Sequence, residues 1–153
     1  MDVKVTQIEY DILIGGFSVK SKGETFNEDI QSSYNDLIQS GKIKSLNIIA
    51  KNTHEYYAVT WYGDDMEDEY ALLLGQKINE KTDNLEMKVI RKGEYVVAKF
   101  PPKYDATKAW TELYAEGIPG IGYKAIEENN IAFVYYPNGL GGDNEIWALV
   151  EKA

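Results

Sequence analysis

One order of periodicities occurs twice along this chain: an extended segment, an amphipathic helix, then two extended segments. In the first copy, residues 8–20 (IEYDILIGGFSVK) read as extended, with Gly15-Gly16 marking a bend or bulge. The spacing of Phe26, Ile30, Tyr34, Leu37 and Ile38 predicts a helix over 26–40, with Thr25 or Asn27 as its cap and Gly41 after its end. Residues 55–62 alternate as a strand, and 69–78 (EYALLLGQKI) read as another, because Gly75 and Asn79 interrupt a helix. A polar link, NEKTDNLEMK, separates the copies. The second copy has a strand at 93–100 and a helix over 106–116, which Asp105 can cap and in which Ala109, Trp110, Leu113 and Tyr114 share a face. IPGIGY reads as a Gly/Pro loop. Strands at 129–137 and 145–152 follow, joined by the hairpin-type turn NGLGGDN. Neither copy buries much by itself. The expectation is a single α+β domain of tandem β-α-β-β units, pseudo-repeats at about 3–80 and 86–153, packed side by side with a ligand groove between them.

Charge and residue inventory narrow the function. The net charge is −9 and no basic patch interrupts it, so direct nucleic-acid binding is not expected. With no cysteine and a single histidine, His54 in a polar turn, thiolate chemistry is excluded and neither a metal centre nor a Ser-His-Asp triad is expected. The acidic run DDMEDE lacks the Gly and ligand spacing of a calcium loop and reads as a solvated turn. NGLGGDN leads into a strand rather than a helix, so it is no phosphate loop. No cofactor is implied. No run approaches a membrane span and the N-terminus lacks signal-peptide features, so a cytoplasmic location is expected.

Tyrosine is abundant, with 12 copies, and it suits half-open pockets because it joins apolar area to one polar tip. Alternation sorts these residues into faces. Tyr57, Val59 and Trp61 oppose Tyr56, Ala58, Thr60 and Tyr62. Ile131, Phe133 and Tyr135 oppose Ala132, Val134 and Tyr136, and Glu145, Trp147 and Leu149 oppose Ile146, Ala148 and Val150. Small-residue faces should meet the helices. The bulkier faces then line the other side, where Tyr57, Trp61, Phe133, Tyr135, Glu145 and Trp147 are the candidate ligand-binding residues. Plain core packing is the alternative for each aromatic, and an exposed strand-start acid near Lys152 is the alternative for Glu145. Tyr56 and Tyr62 read as packing or rim.

The second half, KVIRKGEYVVAKFPPKYDATKAWTELYAEGIPGIGYKAIEENNIAFVYYP followed by NEIWALVEK, resembles the GyrI-like effector-binding domain, the ligand-sensing module of AraC- and MerR-type transcription regulators, which also occurs alone. YYAVTWYGDD and YALLLG in the first half resemble the same family. The resemblance implies the duplicated fold and binding of hydrophobic, often cationic or planar compounds. Two departures stand out. The acid common in the family's penultimate strand is absent, Phe133 and Val134 occupying that segment, while Glu145 matches a second recurring acid. No counterpart of the helix-turn-helix that precedes the domain in the regulators is expected here, since the resemblance begins near residue 3. The leading expectation is a stand-alone sensor or sequestering protein for a small aromatic or cationic molecule, without catalysis. Two alternatives are a hydrolase of cyclopropane-type electrophiles, with Glu145 positioning water and Tyr135 donating a proton, and a protein-interaction module such as a gyrase-modulating protein.

Overall fold

The computed structural model describes residues 2–22, 25–61, 70–101, 104–126 and 132–153. Among them are nine strands: β1 (Val3–Ile8), β2 (Ile12–Ser21), β3 (Tyr56–Trp61), β4 (Tyr70–Lys77), β5 (Glu86–Ile90), β6 (Gly93–Phe100), β7 (Tyr123–Ala125), β8 (Ala132–Tyr136) and β9 (Asn144–Lys152). Helices α1 (Phe26–Gln39), α2 (Lys42–Ile49) and α3 (Ala106–Glu112) complete the α+β architecture. The sheet runs β1-β6-β9-β8-β3-β4-β2-β5, with β7 beside the end of β9, and every pairing is antiparallel.

The halves lie side by side as expected, and they do so within one continuous sheet, joined through β3 and β8, where Tyr57 opposes Tyr135 and Val59 opposes Phe133. Their leading strands are also exchanged. β1 runs into β2 in sequence but pairs with β6, and β5 runs into β6 but pairs with β2. Three expectations change as a result. The strand expected over 8–20 is two strands, because the chain leaves the sheet at residues 9–11 to cross from β1 to β2. The expected polar link contains the start of β5, whose alternation is hidden among charges because it is an edge strand. Gly15-Gly16 is no bend. It lies within β2, where Gly16 opposes Gly75 so closely that a Cβ on Gly16 would sit 2.0 Å from the Leu74 carbonyl oxygen.

The helices cover one face. Phe26, Ile30 and Leu37 of α1 are buried there with Ala58, Leu72, Leu74, Val134, Ile146, Ala148 and Val150. Burying each large side chain is worth about 1.5–3 kcal/mol. The small-residue faces of β3, β8 and β9 therefore meet the helices as expected, and Tyr56 packs with them, its ring edge-on to Tyr34 at 5.8 Å. Tyr62 and the DDMEDE acids lie outside the described residues.

Helix periodicity needs three corrections. Ile38 is 49% exposed, since it stands one step of 100° round from buried Leu37. For the same reason Tyr114 is exposed beside buried Leu113 and stacks on Trp110 at 5.9 Å instead of facing the core. The helix also does not stop in a loop: a π-helical turn (Leu113–Gly117) and a last α turn (Ile118–Gly120) continue α3, and part of IPGIGY enters β7. Asp105 caps α3 as expected, accepting from the amides of Thr107 at 3.0 Å and Lys108 at 3.3 Å. Thr25 takes the cap position of α1, but its hydroxyl donates to Asp29 at 2.7 Å rather than accepting from the helix. The unforeseen α2 begins at Gly41, whose φ of 76° allows the abrupt turn out of α1. Its Leu46 seals a small core with Ile78 and Leu85.

Candidate functional site

On the face away from α1 and α3, β3, β8, β9 and β6 set two transverse rows of side chains. Tyr57, Tyr135, Glu145 and Lys99 form one row, and Val59, Phe133, Trp147 and Val97 form the next. Neighbours in a row touch because antiparallel partners bring their Cβ atoms within about 4.5–5.5 Å. Tyr57 meets Tyr135 with ring centroids 5.0 Å apart and Phe133 at 6.0 Å. Phe133 stacks on Trp147 at 5.3 Å with the planes 20° apart. The Trp147 indole N–H donates to Glu145 Oε1 at 3.1 Å.

Five of the six candidates thus form one connected constellation: Tyr57, Phe133, Tyr135, Glu145 and Trp147. Phe133 is its buried floor, while Tyr135, Glu145 and Trp147 are half-buried. Trp61 shares the face but stands apart, with Lys88 Nζ of β5 over its ring at 4.3 Å. A bound cation could not use that ring face without displacing the lysine.

Two members were not foreseen. Tyr95, fully buried, packs edge-on against Phe133 at 5.6 Å and lies 6.0 Å from Trp147. Its hydroxyl donates to the Arg91 carbonyl at 2.6 Å. Alternation in GEYVVAKF separates Tyr95, Val97 and Lys99 from Val96, Ala98 and Phe100, so the signal was present. Glu55 is the second. It stands two residues before Tyr57, in the turn just ahead of β3, where its amide donates to Asn52 Oδ1 at 3.3 Å, and is half-buried.

Electrostatics link these groups. Burial raises the Tyr57 phenol to about 12, with the negative charge of Glu55 adding to the effect. Tyr135 is raised well above the ordinary phenol value, first by burial, then by a hydrogen bond with Glu55 and by the Tyr57, Glu55 and Glu145 charges. Tyr95 rises to about 12 through burial, opposed by Arg91 and reinforced by Asp11. Among the described residues the only ion pair within 4 Å is the exposed Lys124–Glu151, so neither Glu55 nor Glu145 has a basic partner at that range. Lys99, beside Glu145 in register, is exposed.

A cavity of about 580 Å³ lies elsewhere, on the helix-covered side between β1, the end of β6 and α3. Val3, Ala98, Phe100, Tyr104, Ala109 and Glu112 are among its walls, and none of the six candidates is. Of the two carboxylates on its walls, Asp2 and Glu112, the latter already accepts from the Tyr104 hydroxyl at 3.1 Å. No group of three or more His, Asp or Glu side chains suited to a metal ion occurs among the described residues, nor is any described helix long and apolar enough to cross a membrane.

Several solved structures share this fold. SAV2435 bound to tetraphenylphosphonium superposes with a TM-score of 0.71 at 12% identity, covering 99% of this chain and 94% of that one. An integron cassette protein from Vibrio cholerae gives 0.63 at 13% identity, with 97% and 95% covered. A hydrolase from Listeria innocua gives 0.52 at 11% identity, with 97% and 91% covered. At such identities the likeness is one of fold. No curated protein matches the sequence. The family profile of Cass2, described as integron-associated effector binding protein, matches residues 12–148, which includes every member of the aromatic constellation. The resemblance to effector-binding domains therefore holds, and the chain belongs to the Cass2 family of integron-associated effector binding proteins.

Proposed function

We propose that this effector-binding domain takes up a small aromatic cation on the face formed by Tyr57, Phe133, Tyr135 and Trp147, with Glu145 as its counter-charge. The observation that carries the reading is the unbroken run of ring contacts from Tyr135 through Tyr57 and Phe133 to Trp147, ending on a half-buried carboxylate with no basic partner within 4 Å among the described residues. Each cation–aromatic contact is worth about 0.5–2 kcal/mol, most when desolvated. The net charge of −9 adds a long-range attraction for cations. SAV2435, which shares the fold, is bound to such a cation. The domain then acts as a cytoplasmic sensor or sequestering protein. Duplex DNA, repelled by the same charge, should not be retained in a gel shift at physiological salt.

Titration with tetraphenylphosphonium tests the reading. Trp147 emission should change on binding, and a ligand at 100 times its dissociation constant should add about 2.7 kcal/mol of stability. An unchanged melting temperature across a panel of aromatic cations would refute it. The hydrolase alternative draws less support. A phenol whose pKa is raised, as at Tyr135, is a weaker proton donor than free tyrosine at neutral pH.

A further inference from the structure

Three lysine ammonium groups lie over aromatic rings among the described residues: Lys42 over Phe17 at 4.9 Å, Lys108 over Tyr104 at 5.8 Å and Lys88 over Trp61 at 4.3 Å. Phe17 and Tyr104 pack with the helix-covered core, whereas Trp61 belongs to the aromatic face. Trp61 stands two residues beyond Val59 on β3, on the same side and about 7 Å further along. Val59 opposes Phe133, so Trp61 lies one row past the stacked Phe133–Trp147 pair. The next ring outward from the floor therefore already carries a cation, and the chain itself supplies it.

The ring is what holds that ammonium. Among the described residues no carboxylate lies within 4 Å of Lys88 Nζ. Glu86, two residues earlier on the same side of β5, has its carboxylate on the Ser18 amide at 2.8 Å. Lys20 gives the contrast. It shares the Trp61 row, because Trp61 opposes Ala71 and Ala71 opposes Lys20, yet it is exposed and the cation over the ring is Lys88. Lys88 is half-buried on the end strand of the sheet, opposite the fully buried Ile14. A lysine there can swing its head out to water by rotating its own side chain, with no ladder bond broken.

One face of a ring attracts one cation, and a second like charge beside the first is repelled. We propose that Lys88 is an intramolecular competitor for the ligand. Its ammonium occupies Trp61 in the free protein and is displaced when an aromatic cation spreads from the Phe133–Trp147 floor onto that ring. Lys88 is thus a specificity-determining residue that lowers the affinity of every cation using Trp61. This rests on the binding reading above, and it explains why Trp61 shares the face yet stands apart from the other rings.

The experiment titrates tetraphenylphosphonium by calorimetry into the wild-type chain, Lys88→Met, Lys88→Arg and Lys20→Met. Methionine keeps much of the apolar stem and removes the charge. Lys88→Met should tighten binding about threefold to tenfold, the affinity equivalent of one cation–ring contact. Lys88→Arg keeps a cation for the ring and should bind no more tightly than wild type. Lys20→Met removes a charge of the same row that is not on the ring, and should stay within about twofold of wild type. Combined with Trp61→Leu, the gain from Lys88→Met should vanish, since a double-mutant cycle isolates the pair. A second readout needs no Trp61 variant. Reductive methylation with carbon-13 keeps the lysine charge, and the Lys88 methyl resonance, shifted upfield by the Trp61 ring, should move to the exposed-lysine position as the ligand saturates. Three results would each overturn the proposal while leaving the binding reading in place: unchanged affinity in Lys88→Met, an equal gain in Lys20→Met, or a Lys88 resonance that stays put at saturation. Binding to Lys88→Met alone would support it. Failure of the probe to bind either the wild-type chain or Lys88→Met would overturn both readings together.

Discussion

Phe133 and Trp147 oppose each other across β8 and β9, their ring centroids 5.3 Å apart and their planes 20° from parallel. Phe133 is 1% exposed, so it is floor rather than wall, and Trp147 is the more accessible partner. Truncating Phe133 to Ala should destabilise the protein by about 3–5 kcal/mol, because a buried aromatic leaves both a lost transfer term and a cavity. Urea unfolding measures this. A loss under 1 kcal/mol would mean that the face collapses around the gap.

Glu145→Gln separates charge from shape. The Gln oxygen can still accept from the Trp147 indole, so the geometry is kept while the charge is removed. A cationic ligand should then bind about 1–3 kcal/mol more weakly, and a neutral ligand of the same shape should hardly change. Calorimetric titrations with equal losses for both would make the carboxylate structural.

The buried phenols set an alkaline limit on stability. Tyr56, Tyr57 and Tyr95 are all raised to about 12, burial being the largest cause in each. A folded-state pKa above the unfolded value of 10 means that the native state keeps its protons longer. Their contribution is fully present below pH 10 and is lost as pH rises from 10 through about 12. Chemical-denaturation midpoints should therefore fall across that window. Tyr95→Phe should flatten part of the slope, and an unaltered slope would show that Tyr95 titrates normally.

Gly75 tests the close approach of β2 and β4. A Cβ there would lie 2.1 Å from the Gly15 carbonyl oxygen, which is backbone and cannot rotate away. Gly75→Ala should cost about 3 kcal/mol or more, at the upper end of overpacking penalties. A thermal melt within a few degrees of wild type would show that the strands can spread.

The exchanged strands predict interdependent halves. We propose that residues 3–80 and 86–153 are pseudo-repeats that superpose about a pseudo-twofold axis near the β3–β8 junction. Without β5, the first lacks the strand that flanks β2, and without β1 the second lacks the one that flanks β6. Each expressed alone should give no cooperative melt by circular dichroism, and mixing them should restore one. A cooperative melt from either half alone would contradict this.

Much of this architecture is legible in the sequence, because alternation and helical spacing are properties of single segments. The outward set Tyr57, Phe133, Tyr135, Glu145 and Trp147 follows from period 2, whichever strand lies alongside. Ile38 and Tyr114 mark the limit of that reasoning, since an apolar residue one step round a helix fits the pattern but not the core. Edge strand β5 was lost for a different reason: with one neighbour and charged residues among its five, it carries little hydrophobic signal. Only the tertiary structure decided which strands are neighbours, and with them which side chains share a row. The pairing of β1 with β6 and the place of Tyr95 beside Phe133 both depend on register between segments about 40 to 95 residues apart. Local periodicity is blind to such distances, because a strand alternates in the same way beside any partner.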